Sequence, residues 1–206
     1  MELLFTVITV TLLAGLAMPL GALLAKVEHI KPLWLENEFR HSVMAFGGGA
    51  LLSAVGLVLV PEGIINISPL AAAFFFILGG VCFMLLDIFL NKINTPASQL
   101  AAMLSDFIPE SIALGAAFAT GSNSAFLLAA LIGLQNLPEG FNAFREMNES
   151  PFAKPNKIIL TFTAIALLGP IAGISGFYFL SDAPAILSGI MLFASGGILY
   201  SVFQDI

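Results

Sequence analysis

Two carboxylates, Asp106 and Glu110, stand four residues apart inside a long apolar run, SDFIPESIALG at 105–115. Gln135 and Glu139 repeat that spacing in a second apolar run, LQNLPEGFNAF at 134–144, with Asn136 three residues before Glu139. On a helix, residues three or four apart share a face. Each run therefore offers carboxylate and, in the second, amide oxygens from one side. A proline directly precedes the glutamate in both, Pro109 and Pro138. Proline has no N–H to bond four residues back, so the carbonyls of Ser105 and Leu134 are freed and each helix is expected to kink or loosen. Backbone of this kind is tolerated at membrane depth where protein or a water-filled cavity satisfies it.

An acid at mid-bilayer costs about 2.5 to 3.5 kcal/mol on insertion scales. Asp106, Glu110 and Glu139 lie in two consecutive apolar runs, and no Lys, Arg or His sits in the middle of any run to pair with them. Protonation or a bound cation must compensate. Carboxylate and amide oxygens together suit a hard or borderline divalent metal. The structural alternative is a pair of kinked helices whose protonated acids bond across to each other. A proton relay would use the same groups. An intramembrane aspartic protease would need two deep aspartates; only Asp106 is deep and the glycine–aspartate signature is absent, so no enzyme is expected.

The elements that position these residues follow from composition. The chain has 206 residues, 59% hydrophobic and only 10% charged, with a mean hydropathy of +1.02. A soluble domain is nearer half apolar and a quarter charged. Apolar runs of about 20 residues argue for helices rather than a barrel. The expected fold class is all-α, a polytopic helical bundle in the lipid bilayer with seven transmembrane helices. These are placed at roughly 3–25, 40–61, 69–90, 97–119, 124–145, 158–180 and 184–204. The connections are short, with turn chemistry at Asn94-Thr95-Pro96, Gly121-Ser122-Asn123 and Ser181-Asp182-Ala183-Pro184. No linker divides the chain, so residues 1–206 read as a single transmembrane domain. The first 25 residues lack a positive n-region and are long enough to span, which predicts a retained helix rather than a cleaved signal. The single cysteine, Cys82, excludes an intrachain disulfide and a CxxC metal site. The net charge of −6 comes with no basic cluster along the sequence, so neither a nucleic-acid nor an acidic-lipid partner is expected.

All seven basic residues, Lys26, Lys31, Arg40, Lys92, Arg145, Lys154 and Lys157, fall in or beside the first, third and fifth connections. The positive-inside rule then puts the N-terminus outside and, for seven spans, the C-terminus in the cytoplasm. Small residues crowd the first span (Gly15, Gly21), the second (Gly47, Gly48, Gly49) and the seventh (Gly196, Gly197). Lipid gives helices no hydrophobic reason to associate, so these glycines are read as close packing rather than as ligands. His29 and His41 read as interfacial, the latter with a small chance of helping metal exit. Glu62 stands at the outer end of the second span, where it could attract cations or simply be solvated. Asp87 and Asp205 lie near inner ends, and Met44 and Met103 are expected to pack. The run AAAFFFILGG reads as lipid-facing or packing surface.

At the two Pro-Glu motifs the chain resembles the ZIP (Zrt/Irt-like) family of metal-ion transporters. DFIPES at 106–111 partly matches the family's fourth-helix motif, and QNLPEG at 135–140 matches its fifth-helix motif closely. LLAGLAMPLGALLA, AFGGGALLSAVGLVLVPEG and FASGGILYSVFQDI resemble the family's first, second and seventh helices. The resemblance implies eight helices around a metal path between helices 4 and 5, and the eighth would follow Ile206, where this sequence stops. It implies a divalent metal ion as transported substrate, zinc by default with iron, manganese or cadmium as alternatives, moved into the cytoplasm across the plasma (inner) membrane. A homodimer is compatible with it. Carried over by position, Glu110, Gln135, Asn136 and Glu139 match metal-site residues, and Asp106 stands where many members have histidine. Phe107 stands where an asparagine ligand is common, and Gly169 stands where an acid precedes the sixth-helix proline. These departures predict at most one well-formed site. They also leave open a transport-inactive scaffold or metal sensor. The third connection, NKINTPAS, has no histidine-rich loop.

Overall fold

Proline sets where several of the helices begin, and a computed structural model shows the result for residues 1–28, 33–93, 96–149 and 154–205. The helices are α1 (Glu2–Val27), α2 (Leu33–Ala54), α3 (Val60–Gly63), α4 (Pro69–Ile93), α5 (Pro96–Ala119), α6 (Ala125–Asn148), α7 (Pro155–Ala166), α8 (Leu168–Phe179) and α9 (Pro184–Asp205). Four of them open on a proline, which has no N–H to leave unsatisfied at a first helical position. His29, Lys31, Asn94 and Thr95, named above, lie outside the described residues, as does the side chain of Asp205.

Six helical runs are long and apolar enough to cross a membrane: α1, α2 through α3, α4, α5, α7 through α8, and α9. The chain is thus a helical integral membrane protein. Against the seven expected spans, α6 is the exception. Its 24 residues reach about 36 Å, enough for a hydrocarbon core of roughly 30 Å. Its inner half, however, carries Gln135, Asn136, Glu139, Asn142 and Arg145. These lower its hydropathy, yet Gln135 and Asn136 are buried, since α6 packs on α1, α2, α5 and α7 while Phe126, Leu127 and Leu134 stay exposed.

Reciprocal glycine contacts join three helix pairs; of the glycines read as packing, Gly21 and Gly196 take part, whereas a Cβ at Gly49 would meet nothing within 4 Å. A Cβ at Gly21 of α1 would come within 2.0 Å of the Leu137 carbonyl oxygen on α6, and one at Gly140 of α6 within 2.2 Å of Met18 O on α1. Gly79 and Gly196 make the same reciprocal contact between α4 and α9, each reaching a backbone oxygen at 1.9 Å. Gly115 of α5 and Gly176 of α8 repeat it, at 1.9 and 2.0 Å. Backbones this close gain dispersion contacts that lipid cannot offer. The exposed faces carry large apolar side chains, among them Phe74, Ile77, Leu85 and Phe89 of α4, as a lipid-facing surface requires.

The expected kinks at Pro109 and Pro138 are not breaks: α5 and α6 run through both as continuous helix. One missing hydrogen bond is offset by packing, and Gly47 of α2 leaves room for the Pro138 ring, since a Cβ there would lie 2.9 Å from Pro138 Cγ. The backbone instead departs from α-geometry before two other prolines. Residues Val55–Leu59 form a π-helical turn leading to Pro61, in which Val60 N–H reaches Val55 O. Helices α7 and α8 part at Leu167, three residues before Pro170, where Leu167 N–H bonds Ala164 O at 3.2 Å. Such turns are where a helix re-aims its side chains.

α5 ends in a Schellman motif. Gly121 takes φ +70, Ser122 N–H bonds Ala117 O at 2.9 Å and Gly121 N–H bonds Phe118 O at 3.2 Å. A residue with no Cβ enters this left-handed geometry freely. The tight reversal lays α6 antiparallel to α5 and so sets the level of every side chain between them.

Candidate functional site

Glu110 and Gln135 meet between α5 and α6. Gln135 Nε2 donates to Glu110 Oε2 at 2.6 Å, and the two residues are 0% and 2% exposed. A carboxylate only accepts, so this bond fixes which end of the Gln135 amide is nitrogen and points its oxygen elsewhere. Because the helices are antiparallel, Asp106 and Glu139 each lie one turn, about 5.4 Å, from this pair toward the same end of the bundle. Both are half-buried. Asn142 continues the α6 stripe, seven residues beyond Gln135.

Asn136 does not join them. It is 1% exposed, but its Nδ2 donates to the Ala14 carbonyl of α1 at 2.9 Å. It ties α6 to α1. Adjacent helical residues differ by about 100°, so Gln135 and Asn136 cannot both face α5.

The polar atoms left over share one character. Glu110 Oε1, Gln135 Oε1, Asn136 Oδ1, Asn142 Oδ1 and Ser111 Oγ are buried without a hydrogen-bond partner among the described residues. All five are oxygens, and four of them can only accept. Buried acceptors are normally satisfied, and what satisfies an acceptor is a proton donor or a cation. The donor set therefore fits a cation. Among the described residues no three His, Cys, Asp or Glu side chains converge as a ready metal cluster. Any ion held here would rest on the Glu110 carboxylate and on amide oxygens, with Asp106 and Glu139 one turn away. Asn142 and Ser111 were not singled out in the sequence. Asn142 was findable, because 135, 139 and 142 follow the i, i+4, i+7 stripe; Ser111 carries no such signal.

The two departures from the ZIP pattern turn out to touch. Phe107 is 0% exposed, and its ring end lies in a cradle formed by Gly15 of α1 and Gly169 of α8. A Cβ would lie 2.8 Å from Phe107 Cζ at Gly15 and 2.7 Å at Gly169. The aromatic ring fills the space that a side chain at position 169 would need.

At the far end of α5 a cavity of about 370 Å³ opens between α3, α5 and α9, lined by Glu62, Asn66, Ala117, Ser122, Ser188 and Met191 among others. Glu62 Oε1 accepts from Ser122 Oγ at 2.7 Å and from Ser124 Oγ at 2.5 Å. Its carboxylate is thus held in the mouth rather than loose in solvent. Ala117 lies seven residues beyond Glu110, two turns or roughly 10 Å along one face of α5.

The opposite end is closed by charge. Arg145 of α6 forms ion pairs with Glu28, just past α1, and Glu36, in the first turn of α2. Its guanidinium also sits 5.8 Å from the Phe141 ring centroid, and Phe141 meets Phe39 edge-on. Asp87 accepts from Asn91 at 3.1 Å and Tyr200 at 3.2 Å, bracing α4 against α9. His41 is exposed and Met103 is core, in line with their sequence reading.

Comparison with protein-family models and with curated proteins finds no match to the chain.

Proposed function

We propose that this protein carries divalent metal ions across the membrane, through a polar site between α5 and α6, as a ZIP-like transporter. The observation that supports this most is the buried Glu110–Gln135 pair, in which Glu110 Oε1 and Gln135 Oε1 have no hydrogen-bond partner among the described residues. In this reading α6 is a seventh span whose Gln135 and Asn136 are buried in the bundle while Phe126, Leu127 and Leu134 face lipid. Ions enter at the Glu62 mouth, follow the α5 face to Glu110 and Gln135, and leave past Asp106, Glu139 and Asn142. The end bearing Arg145 faces the cytoplasm, in keeping with the positive-inside rule. With oxygen donors and no sulfur or imidazole, the site suits zinc less strictly than usual and admits iron or manganese.

A second reading is favoured by one contact. Phe107 packed on Gly169 removes two ligand positions of the ZIP pattern at once. A chain that binds metal without passing it on, as a scaffold or sensor, fits that contact.

Uptake into proteoliposomes over zinc, cadmium, manganese and iron tests both. Saturable uptake by the parent, lost in Glu110→Ala and Glu139→Ala, is the expected result. A folded parent that moves none of the four ions would overturn transport and leave the second reading.

A further inference from the structure

Three lysines converge on one cleft with no acid to neutralise them. Lys26, in the last turn of α1, and Lys154, Pro155, Asn156 and Lys157, at the start of α7, line a cleft of about 430 Å³. Lys26 Nζ donates to Asn156 Oδ1 at 2.8 Å, which fixes one ammonium over the first turn of α7. Lys154 is the N-cap of that helix and its side chain makes no capping bond, while its carbonyl accepts the N–H groups of Lys157 and Ile158, so the ammonium groups are what the cleft offers a ligand. Among the described residues none of the three lysines has a carboxylate within ion-pair distance, whereas Arg145 has two. Glu28 and Glu36 pair with the arginine rather than with these lysines. Ammonium groups gathered in this way favour an anion bearing several oxygens, such as a phosphate.

The surroundings decide between a free phosphate and a phosphate carrying acyl chains. Leu23, three residues before Lys26, is 43% exposed, and Leu160, three after Lys157, is 68% exposed. Residues three apart share a helix face, so each lysine has an apolar, lipid-facing side chain directly beneath it toward the membrane. A ligand that places a phosphate in the cleft and hydrocarbon along Leu23 and Leu160 matches both. We infer that this cleft between α1 and α7 binds the headgroup of an anionic phospholipid. Basic clefts between helices at the membrane surface suit such headgroups.

The full chain, purified in detergent, would be offered phosphatidylglycerol, phosphatidylcholine or inorganic phosphate, with retention read by native mass spectrometry and by thermal unfolding. The expected result is retention of phosphatidylglycerol with a raised unfolding temperature, and neither effect from phosphatidylcholine or inorganic phosphate. Each lysine changed to glutamine should weaken retention about five-fold, the equivalent of one surface charge. Lys92→Gln, at the end of a different helix, should leave it unchanged. Equal retention of the zwitterionic lipid, the full effect from inorganic phosphate alone, or undiminished retention in the triple variant would each overturn the inference. If the triple variant fails to fold, Lys157→Gln carries the test alone, since that side chain is exposed and makes no bond to another described residue; parent-like retention there would also overturn it.

Discussion

Phe107 and Gly169 are one packing unit: the ring of the first occupies the place of a side chain at the second, with 2.7 Å between Phe107 Cζ and a Cβ built on Gly169. Two positions 62 residues apart in the sequence therefore constrain each other. Gly169→Ala should destabilise the protein by about 1–3 kcal/mol through overpacking. Phe107→Ala should cost about 3–5 kcal/mol as a cavity. In the Phe107→Ala background the cost of Gly169→Ala should fall without vanishing, because the Thr11 carbonyl oxygen still lies 2.9 Å from that Cβ; the coupling should be about 0.5–3 kcal/mol. Thermal unfolding of the four proteins in one detergent measures it; strictly additive shifts would contradict the contact.

The Glu110–Gln135 bond separates structure from ion binding. Gln135→Ala removes the donor and leaves a second buried oxygen of Glu110 unsatisfied, at a cost of about 1–3 kcal/mol. Glu110→Gln keeps the shape and removes the charge. It should fold as well as the parent and lose cadmium binding measured by isothermal titration. Binding kept at parental affinity in Glu110→Gln would remove Glu110 from the ion site.

The glycine crossings are not equal. Gly21→Ala forces a methyl to 2.0 Å from a backbone oxygen of α6, whereas a Cβ at Gly49 meets nothing within 4 Å. The first should cost about 1–3 kcal/mol. The second should gain up to about 1 kcal/mol, because alanine is the better helix former. Comparing the unfolding temperatures of the two variants checks the sign as well as the size.

Arg145 holds three elements with one planar group. Arg145→Lys keeps the charge but cannot fork between Glu28 and Glu36. It should recover only part of the stability lost in Arg145→Ala. That loss should be about 1–3 kcal/mol, since the two acids left behind are only partly exposed. High salt should narrow the gap between lysine variant and parent, which a salt series of thermal unfolding would show.

Much of this arrangement is legible in the sequence because it rests on local chemistry. Helix starts at Pro69, Pro155 and Pro184 lie within a few residues of the expected ones, since a proline at a first helical position needs nothing from the rest of the chain. Gly121 marks the α5–α6 turn for the same reason. The four-residue spacing of Asp106 and Glu110, and of Gln135 and Glu139, announces two polar faces. Which atoms meet across them is a tertiary fact. That Asn136 turns to Ala14 on α1 depends on where α1 packs, some 120 residues earlier in the chain. The π-helical turn at Val55–Leu59 and the break at Leu167 are not written in hydropathy, which reads both runs as single spans. Pro109 and Pro138 lie within continuous helix, so the hydrogen bond lost at each does not end α5 or α6.

The polarity of α6 also bears on the order in which the protein is made. Helices enter a bilayer one by one in proportion to their apolarity, and α6 alone of the long helices falls short by composition. It acquires its surroundings from others: α1 supplies the Ala14 carbonyl to Asn136 and α5 supplies Glu110 to Gln135. Both precede it in synthesis. α6 is therefore expected to enter the membrane against helices already in place rather than by partitioning into lipid alone. The same polar side chains proposed above to form an ion site make this segment dependent on its elders for insertion.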